Sequence, residues 1–404
     1  MRGDAAQSAL VALAATLAIQ IFTSVAATAP AVLVPVLAPD LGIAPKWIGV
    51  FVGIVYAGAM LGSLLCGGFI ARFGAIRVSQ VCVLMCAVGV GLVATLPGSA
   101  AALLIGAAFL LGLGYGPITP ASSEVLSRTT APDRMALTFS IKQTGVPAGA
   151  AIAGALMPVL ALGIGWRGAL LAVAGMGLAI VFAAQPTRTA LDVHHLPGKR
   201  FSFSDIVAPL RTVLTTRTLR ILALTSCAFS SVQVCLSTFL VVHLNDTLRW
   251  SLVAAGLALT TATVAAMVGR VFWGIVADRL LPARKVLVLI GVIACVCGLL
   301  LAMAGSDWPT WTVLLVVAVY GATAIGWNGV QLAELAKHAP PGTAGAVTGA
   351  SGFLTFAGVV AGPSLFAAIA GATANYRFGF VAAAAVSGIA AGTLFASHRP
   401  TAVK

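Results

Sequence analysis

The sequence predicts an all-α polytopic membrane protein: twelve transmembrane helices in two pseudo-symmetric six-helix bundles. Three observations predict it: an apolar excess that one core cannot hide, twelve apolar stretches of spanning length, and internal echoes at a near-constant offset. Of 404 residues, 60% are hydrophobic and only 8% charged, with a mean hydropathy of +1.06. A soluble domain carries about 25% charged residues. The bilayer is therefore the natural solvent for this chain.

About 20 apolar residues cross a hydrocarbon core of about 30 Å. Such stretches run at 9–37, 47–70, 76–97, 101–126, 136–163, 168–185, 219–243, 251–277, 285–305, 311–336, 344–371 and 376–396. They are continuous rather than alternating, which favours helices over a membrane barrel. The first ends in small residues (SVAATA) as a signal peptide does, but its length and its place in an even set favour a retained helix. The longest polar stretch, about 186–218, splits the set six and six. The expected division is a bundle over 1–187, a cytoplasmic central loop over 188–218 and a second bundle over 219–404. His194 and His195 lie in that loop and receive no role.

Basic residues orient the spans. With the N-terminus inside, 17 of the 23 Lys and Arg fall on the cytoplasmic side, four (Lys46, Arg167, Arg249 and Arg377) fall outside, and two (Lys142 and Arg270) fall within spans. Both termini are then cytoplasmic, and the expected location is the cell (inner) membrane. The same asymmetry explains the net charge of +13 without nucleic acid. The seven cysteines show no zinc-ribbon or haem spacing and read as thiols packed in helices. No metal or cofactor is expected, and no enzyme: there is no H-E-x-x-H, no buried Asp pair and no Walker-type glycine loop.

The halves repeat. GGFIARFGAIR (67–77) follows span two and GIVADRLLPARK (274–285) follows span eight, so Arg72 answers Arg279 at an offset of 207. PASSEVLSR (120–128) and VQLAELAKH (330–338) close spans four and ten, so Glu124 answers Glu334 at an offset of 210. Parallel repeats of this kind are related by an axis along the membrane normal, with the substrate site between them.

The pattern G-x-x-x-D-R-x-G-R-K between helices two and three resembles the signature of the major facilitator superfamily. The second copy keeps Gly274, Asp278 and Arg279; the first keeps Gly67, Arg72 and Gly74 but has Ala71 where the family has Asp. The resemblance implies that this loop helps lock a cytoplasmic gate. A first-half lock must then use other groups, with Arg72, Arg77 and Glu124 as candidates. Asp278, Arg279 and Glu334 are the second-half counterparts. The alternative is that these charges are simply snorkelled or paired at the interface.

Arg270 precedes Asp278 by eight residues, about 12 Å along a helix. Burying Arg near a helix centre costs at least about 2.5–3.5 kcal/mol, so it needs a wet cavity or a partner. A structural pair or snorkelling is one reading. Binding an anion is the other, since the guanidinium fork matches a carboxylate. Lys142 lies about as deep in span five, with snorkelling as its rival reading, and Gln143 beside it is expected to point elsewhere. In the superfamily helices five and eight face each other, which implies that both cations reach one cavity. The stretch G-R-x-x-x-G-x-x-x-D-R (Gly269 to Arg279) is similar to monocarboxylate carriers and oxalate–formate exchangers, where this arginine contacts substrate carboxylate. Ala266 stands where some of those carriers have an acid four residues before the arginine.

Helical spacing proposes the remaining lining. Span one offers Gln20, Thr23, Ser24 and Thr28; span four offers Tyr115, Thr119, Ser122 and Ser123. Span seven offers Ser226, Ser230, Gln233 and Ser237; span ten offers Asn328 and Gln331 beside Trp327. Ser and Thr can instead bond backbone carbonyls, whereas a primary amide in lipid needs external partners. Trp273 and Tyr56 are candidate apolar walls. The small-residue faces of GVPAGAAIAG (145–154) and GVVAGPSLFAAIAG (358–371) allow close helix approach.

The function these features predict is secondary transport of small organic anions, mono- or dicarboxylates, by alternating access. The expected partners are an anionic small molecule, the bilayer and no nucleic acid, with the chain a monomer; a co- or counter-ion is left open. The alternatives are efflux of drugs or neutral solutes, and a sensor without flux.

Overall fold

The computed structural model describes residues 2–43, 48–95, 101–193, 195–196, 198 and 202–397, and the side chains of these except 2–7, 101 and 102. His194, Lys46, Lys199, Arg200, Arg399 and Lys404 of the charge and loop readings lie outside the described residues, as does Met1.

The described chain is helical almost throughout. In order the helices are α1 (Arg2–Val32), α2 (Val34–Asp40), α3 (Ile48–Phe73), α4 (Ala75–Thr95), α5 (Ala101–Tyr115), α6 (Ile118–Thr129), α7 (Met135–Gln143) and α8 (Gly145–Leu191). Then follow α9 (Ser204–Thr215), α10 (Arg217–Asp246), α11 (Leu252–Arg279), α12 (Ala283–Met303), α13 (Thr310–Ala324), α14 (Asn328–His338), α15 (Ala344–Thr373) and α16 (Tyr376–Ala396). Eleven helical stretches among the described residues are long and apolar enough to cross a membrane. One of them, Pro132–Leu191, has 60 residues. At 1.5 Å per residue that is far more than one crossing requires. The stretch turns back at Gly165, whose φ of 75° only glycine adopts without strain. The protein is thus a multi-pass membrane protein of twelve crossings.

Three spans read as continuous are interrupted. Span four breaks between α5 and α6 at Gly116–Pro117, span five at Thr144, and span ten between α13 and α14 at Ile325–Trp327. Proline explains the first, since Pro117 has no N–H to continue the ladder, and Pro147 weakens the start of α8 in the same way. The polar stretch over 188–218 is also more ordered than expected. α8 runs on to Leu191, and α9 is a further helix. Ile206, Leu210 and Val213 recur on one side of α9, and Val213 is fully buried.

The helices gather into two compact units. The first comprises Met1–Ala131, Lys142–Val213 and Ala339–Phe353. Its core rests on glycine: a Cβ on Gly62 would lie 2.6 Å from Leu113 O, and one on Gly114 would lie 2.5 Å from Cys82 O. α5 therefore packs backbone to backbone against α3 and α4. α1 approaches α8 equally closely, because a Cβ on Gly149 would meet Ile21 O and lie 2.6 Å from Ser24 Cβ.

The second unit comprises Pro132–Ile141, Leu214–His338 and Leu354–Lys404. One apolar cluster joins its helices, with Leu236, Leu240, Leu244, Ala258, Ala262, Val317, Tyr320 and Phe380 buried together. Phe366 stacks on Phe239 with centroids 4.2 Å apart. Gly358 and Gly362 bring α15 onto Cys227 and Ser231 of α10. Two caps mark helix starts: Ser251 Oγ accepts from Ala254 N at 3.2 Å, and Asn375 Oδ1 accepts from Arg377 N at 3.0 Å.

Candidate functional site

In the first unit the lysine of span five is enclosed by oxygen. Lys142 is 1% exposed. Its Nζ donates to Gln20 Oε1 at 2.6 Å, Gln143 Oε1 at 3.0 Å and Thr119 Oγ1 at 3.3 Å. Thr119 also donates to Gln20 Oε1 at 3.3 Å. Backbone geometry builds this cluster. Gly145 and Gly149 let α1 approach α8, which delivers Gln20. The break at Pro117 turns the chain so that Thr119 opens α6. Lys142 occupies the last turn of α7, the end of the helix dipole that favours a cation. Gln143 corrects the sequence expectation: it does not point away from Lys142 but bonds to it. Both residues lie within α7, and the two long side chains meet across the roughly 100° that separates neighbouring helical positions.

In the second unit the arginine sits at another interrupted helix. Arg270 is also 1% exposed, and its Nε donates to Ile325 O at 3.3 Å. That carbonyl lies just beyond the end of α13. One turn on along α11, Trp273 Nε1 donates to Ala322 O at 2.9 Å. The two side chains thus take carbonyls at the break between α13 and α14. Gly269 makes the approach possible, since a Cβ there would lie 2.5 Å from Ala322 O. Asn328, which opens α14, donates from Nδ2 to Gln233 Oε1 at 3.1 Å and to Ile325 O at 3.3 Å.

The remaining expected lining divides. Gln331 Nε2 donates to Leu222 O at 2.5 Å and so ties α14 to α10. Tyr115 is partly buried at the end of α5, and Tyr56 is partly buried on α3. Several hydroxyls serve the backbone: Thr23 donates to Ile19 O, Ser24 to Val146 O at 2.6 Å, Ser122 to Thr119 O, and Ser230 to Thr355 O. Trp327 packs edge-on to Phe229, centroids 5.6 Å apart.

The gating candidates fall into two clusters. In the second unit Asp278 caps α7: Oδ1 accepts from Ala136 N at 3.0 Å and Oδ2 from Leu137 N at 2.7 Å. Gly274 admits Ser140 beside that cap, a Cβ there lying 2.7 Å from Ser140 Oγ. Arg279 lines a recess with Asp133, Arg134 and Asp278. Glu334 lies beside His338, 3.7 Å away on its own helix, rather than with Asp278 and Arg279.

In the first unit Glu124 is buried, and its Oε2 accepts from Gly345 N at 2.7 Å, next to the start of α15. Its ion-pair partner is Arg128, at 3.8 Å, not Arg72 or Arg77. Arg72 lies over the Phe73 ring at 5.0 Å. Gly67 receives Ala346 Cβ, 2.9 Å from where its own would be. Gly74 turns the chain with φ +90° and leaves room for Asp192. Asp192 is a residue the sequence reading passed over. It caps α4 through Ile76 N at 2.8 Å and Arg77 N at 3.0 Å. Its signal was a lone acid after a long apolar span. His243 was also missed: it is fully buried, its Nε2 is 3.1 Å from Leu301 O, and its ring centroid is 4.9 Å from that of Phe380.

This layout of interrupted helices, a second-half signature loop and buried intramembrane cations is that of a transporter, and the comparisons agree. The Major Facilitator Superfamily profile matches residues 16–363, and the chain belongs to that family. It is 27% identical over 246 residues to an uncharacterized MFS-type transporter of Mycobacterium tuberculosis, a match that covers 60% of this chain and 53% of that relative. The match thus spans about half the length of that relative. Among solved structures, a bacterial homologue of the iron transporter ferroportin in an outward-facing state aligns with a TM-score of 0.76 and 17% identity, over 97% of this chain and all of that one. The Escherichia coli fucose:proton symporter aligns at 0.75 and 14%, over 97% and 100%. The human organic anion transporter MFSD10 aligns at 0.73 and 18%, over 96% and 98%. At these identities the likeness is one of fold. Monocarboxylate carriers do not figure among these matches.

Proposed function

We propose that this transporter carries small organic anions, mono- or dicarboxylates, by alternating access across the inner membrane. Its termini and central segment would lie on the cytoplasmic side, where the basic excess falls. The observation that carries the reading is the burial of two cations, Lys142 and Arg270, each at the carbonyl end of an interrupted membrane helix. Interrupted helices with aimed termini are how transporters of this kind build midplane sites. A helix C-terminus and neutral amide oxygens steady a cation without removing its charge. An anion is the solute that such groups select.

The substrate class rests on this chemistry and not on the neighbours, which are a fucose symporter, an organic anion transporter and a homologue of an iron transporter. The proposed residue roles follow. Lys142 and Arg270 hold the carboxylate. Gln20, Thr119, Gln233 and Asn328 orient it or the cations, with Tyr115, Trp273 and Gln331 at the margins. Glu124 and Asp278 stabilise the helix starts that move. The proposed unit of function is a monomer with two six-helix halves, 1–187 and 219–404.

Uptake into proteoliposomes tests the reading. Labelled mono- and dicarboxylates should enter saturably and compete with one another, while a neutral hexose and a cationic dye should not compete. Arms with an internal counter-anion and with a proton gradient separate exchange from co-transport. Transport of the hexose or dye by protein that ignores carboxylates would refute the proposal.

A further inference from the structure

α3 and α4 leave the Gly74 turn and diverge, with α5 packed behind both. The wedge between them is a cavity of about 480 Å³, lined by apolar groups such as Phe69, Phe73, Val81, Met85 and Leu113. Phe69, Phe73 and Val81 are exposed, at 42%, 42% and 48%. The groove therefore opens to the membrane. From Gly62 to Phe73 it follows eleven residues of α3, about 16 Å. One charged residue lines it: Arg77, at the end beside the turn.

Arg77 gives its backbone N–H to Asp192, but its side chain is exposed and bonds no acid or carbonyl among the described residues. Arg72 stands at the same turn over Phe73. Both arginines belong to the side on which the basic residues concentrate. An apolar slot ending in an exposed guanidinium, with a second, half-buried one at the same turn, matches one kind of molecule: an acyl chain ending in a phosphate.

We propose that this groove is a binding site for an anionic phospholipid of the cytoplasmic leaflet. One acyl chain lies along Phe69, Val81 and Met85, and the headgroup phosphate meets Arg77 and Arg72. A basic residue near the membrane surface is worth about fivefold in affinity for an anionic lipid. Arginine adds a planar fork suited to phosphate. The site is separate from Lys142 and Arg270, and its occupancy bears on the start of α4 rather than on the substrate.

The test uses the purified full chain in detergent with a phosphatidylglycerol that carries a photoreactive acyl tail, followed by peptide mapping. Labelling should concentrate in residues 62–85. Unlabelled phosphatidylglycerol should suppress it, whereas phosphatidylcholine with the same tails and glycerol phosphate without tails should not. Arg77→Gln should weaken labelling about fivefold, and more together with Arg72→Gln. Val81→Trp, which fills the slot, should abolish labelling with both arginines in place. Arg77 is exposed and Arg72 half-buried, and circular dichroism checks that the variants fold. Three results would each overturn the proposal: labelling spread evenly over the helices, equal competition by phosphatidylcholine, or full labelling in the double arginine variant.

Discussion

The Oε2 of Glu124 lies 2.7 Å from the backbone nitrogen of Gly345, 221 residues further along the chain. In the second half the equivalent service comes from a different position, Asp278, which accepts from Ala136 and Leu137 at the start of α7. The counterpart of Asp278 in the first half is Ala71. Glu124 thus supplies to α15 the negative charge that the loop residue lacks. A carboxylate at a helix N-terminus satisfies an orphan N–H and complements the dipole.

Removing Glu124 should therefore destabilise more than a surface charge would. Glu124→Ala is expected to cost about 1–2 kcal/mol, the range of a lost cap, and Glu124→Gln less. Ala71 lines the same cavity of about 390 Å³ as Glu124, Thr343 and Ala346. There is room for a carboxylate, so Ala71→Asp should restore part of the loss. Thermal unfolding of the single and double variants in detergent checks this. No rescue would mean that position 71 cannot reach α15.

Asp278→Ala removes the acceptor of two backbone donors at once. Amide hydrogen exchange at Ala136 and Leu137 should accelerate about tenfold or more if the cap is worth about 1.4 kcal/mol or more. Exchange in α12 should stay unchanged. Unchanged exchange at Ala136 and Leu137 would show that Asp278 does not hold this helix start.

The Lys142 cluster depends on how closely α1 approaches α8. Gly149→Ala puts a methyl against Ile21 O and Ser24. Such overpacking costs about 1–3 kcal/mol and should push Gln20 away from Lys142. Substrate affinity should fall with stability in this variant. Lys142→Gln should lower affinity by tenfold or more with a smaller loss of stability. Equal affinity in Lys142→Gln would make the lysine structural.

The elements were legible because bilayer thickness fixes their length. Spans such as 285–305 and 376–396 meet α12 and α16 within two residues. The Gly145 and Gly149 face was legible for the same reason that it works: small residues at four-residue spacing mark close helix contact. The breaks at Pro117, Thr144 and Ile325 were not read, because each lies inside a stretch whose mean hydropathy still suits a single span. Hydropathy reports the solvent and not the hydrogen-bond ladder. Gln143 was expected to turn away from Lys142 because neighbouring helical positions point about 100° apart, yet both side chains are long enough to meet. α9 was missed because a twelve-residue amphipathic helix looks polar when its charges are counted without its period. Of the candidate site, Gln20, Lys142 and Thr119 were each legible as polar residues in lipid. Their meeting at one nitrogen depends on helix approach, which no single span records. The pairing of Glu334 with His338 repeats that of Glu124 with Arg128, each at i,i+4; both escaped because partners were expected in the signature loops.

The most direct test of the account is calorimetric titration of the purified full chain with the carboxylate it transports best, comparing wild type with Arg270→Gln. A charge-assisted hydrogen bond is worth about 1.5–3 kcal/mol, so Kd should rise at least tenfold. Arg270→Lys should fall between, because a point charge lacks the fork. Ser251→Ala is the control, since it removes only the cap of α11, the same helix, without altering charge. Its Kd should stay within about threefold of wild type. An unchanged Kd in folded Arg270→Gln would contradict the account and leave Arg270 as a brace for the carbonyl of Ile325.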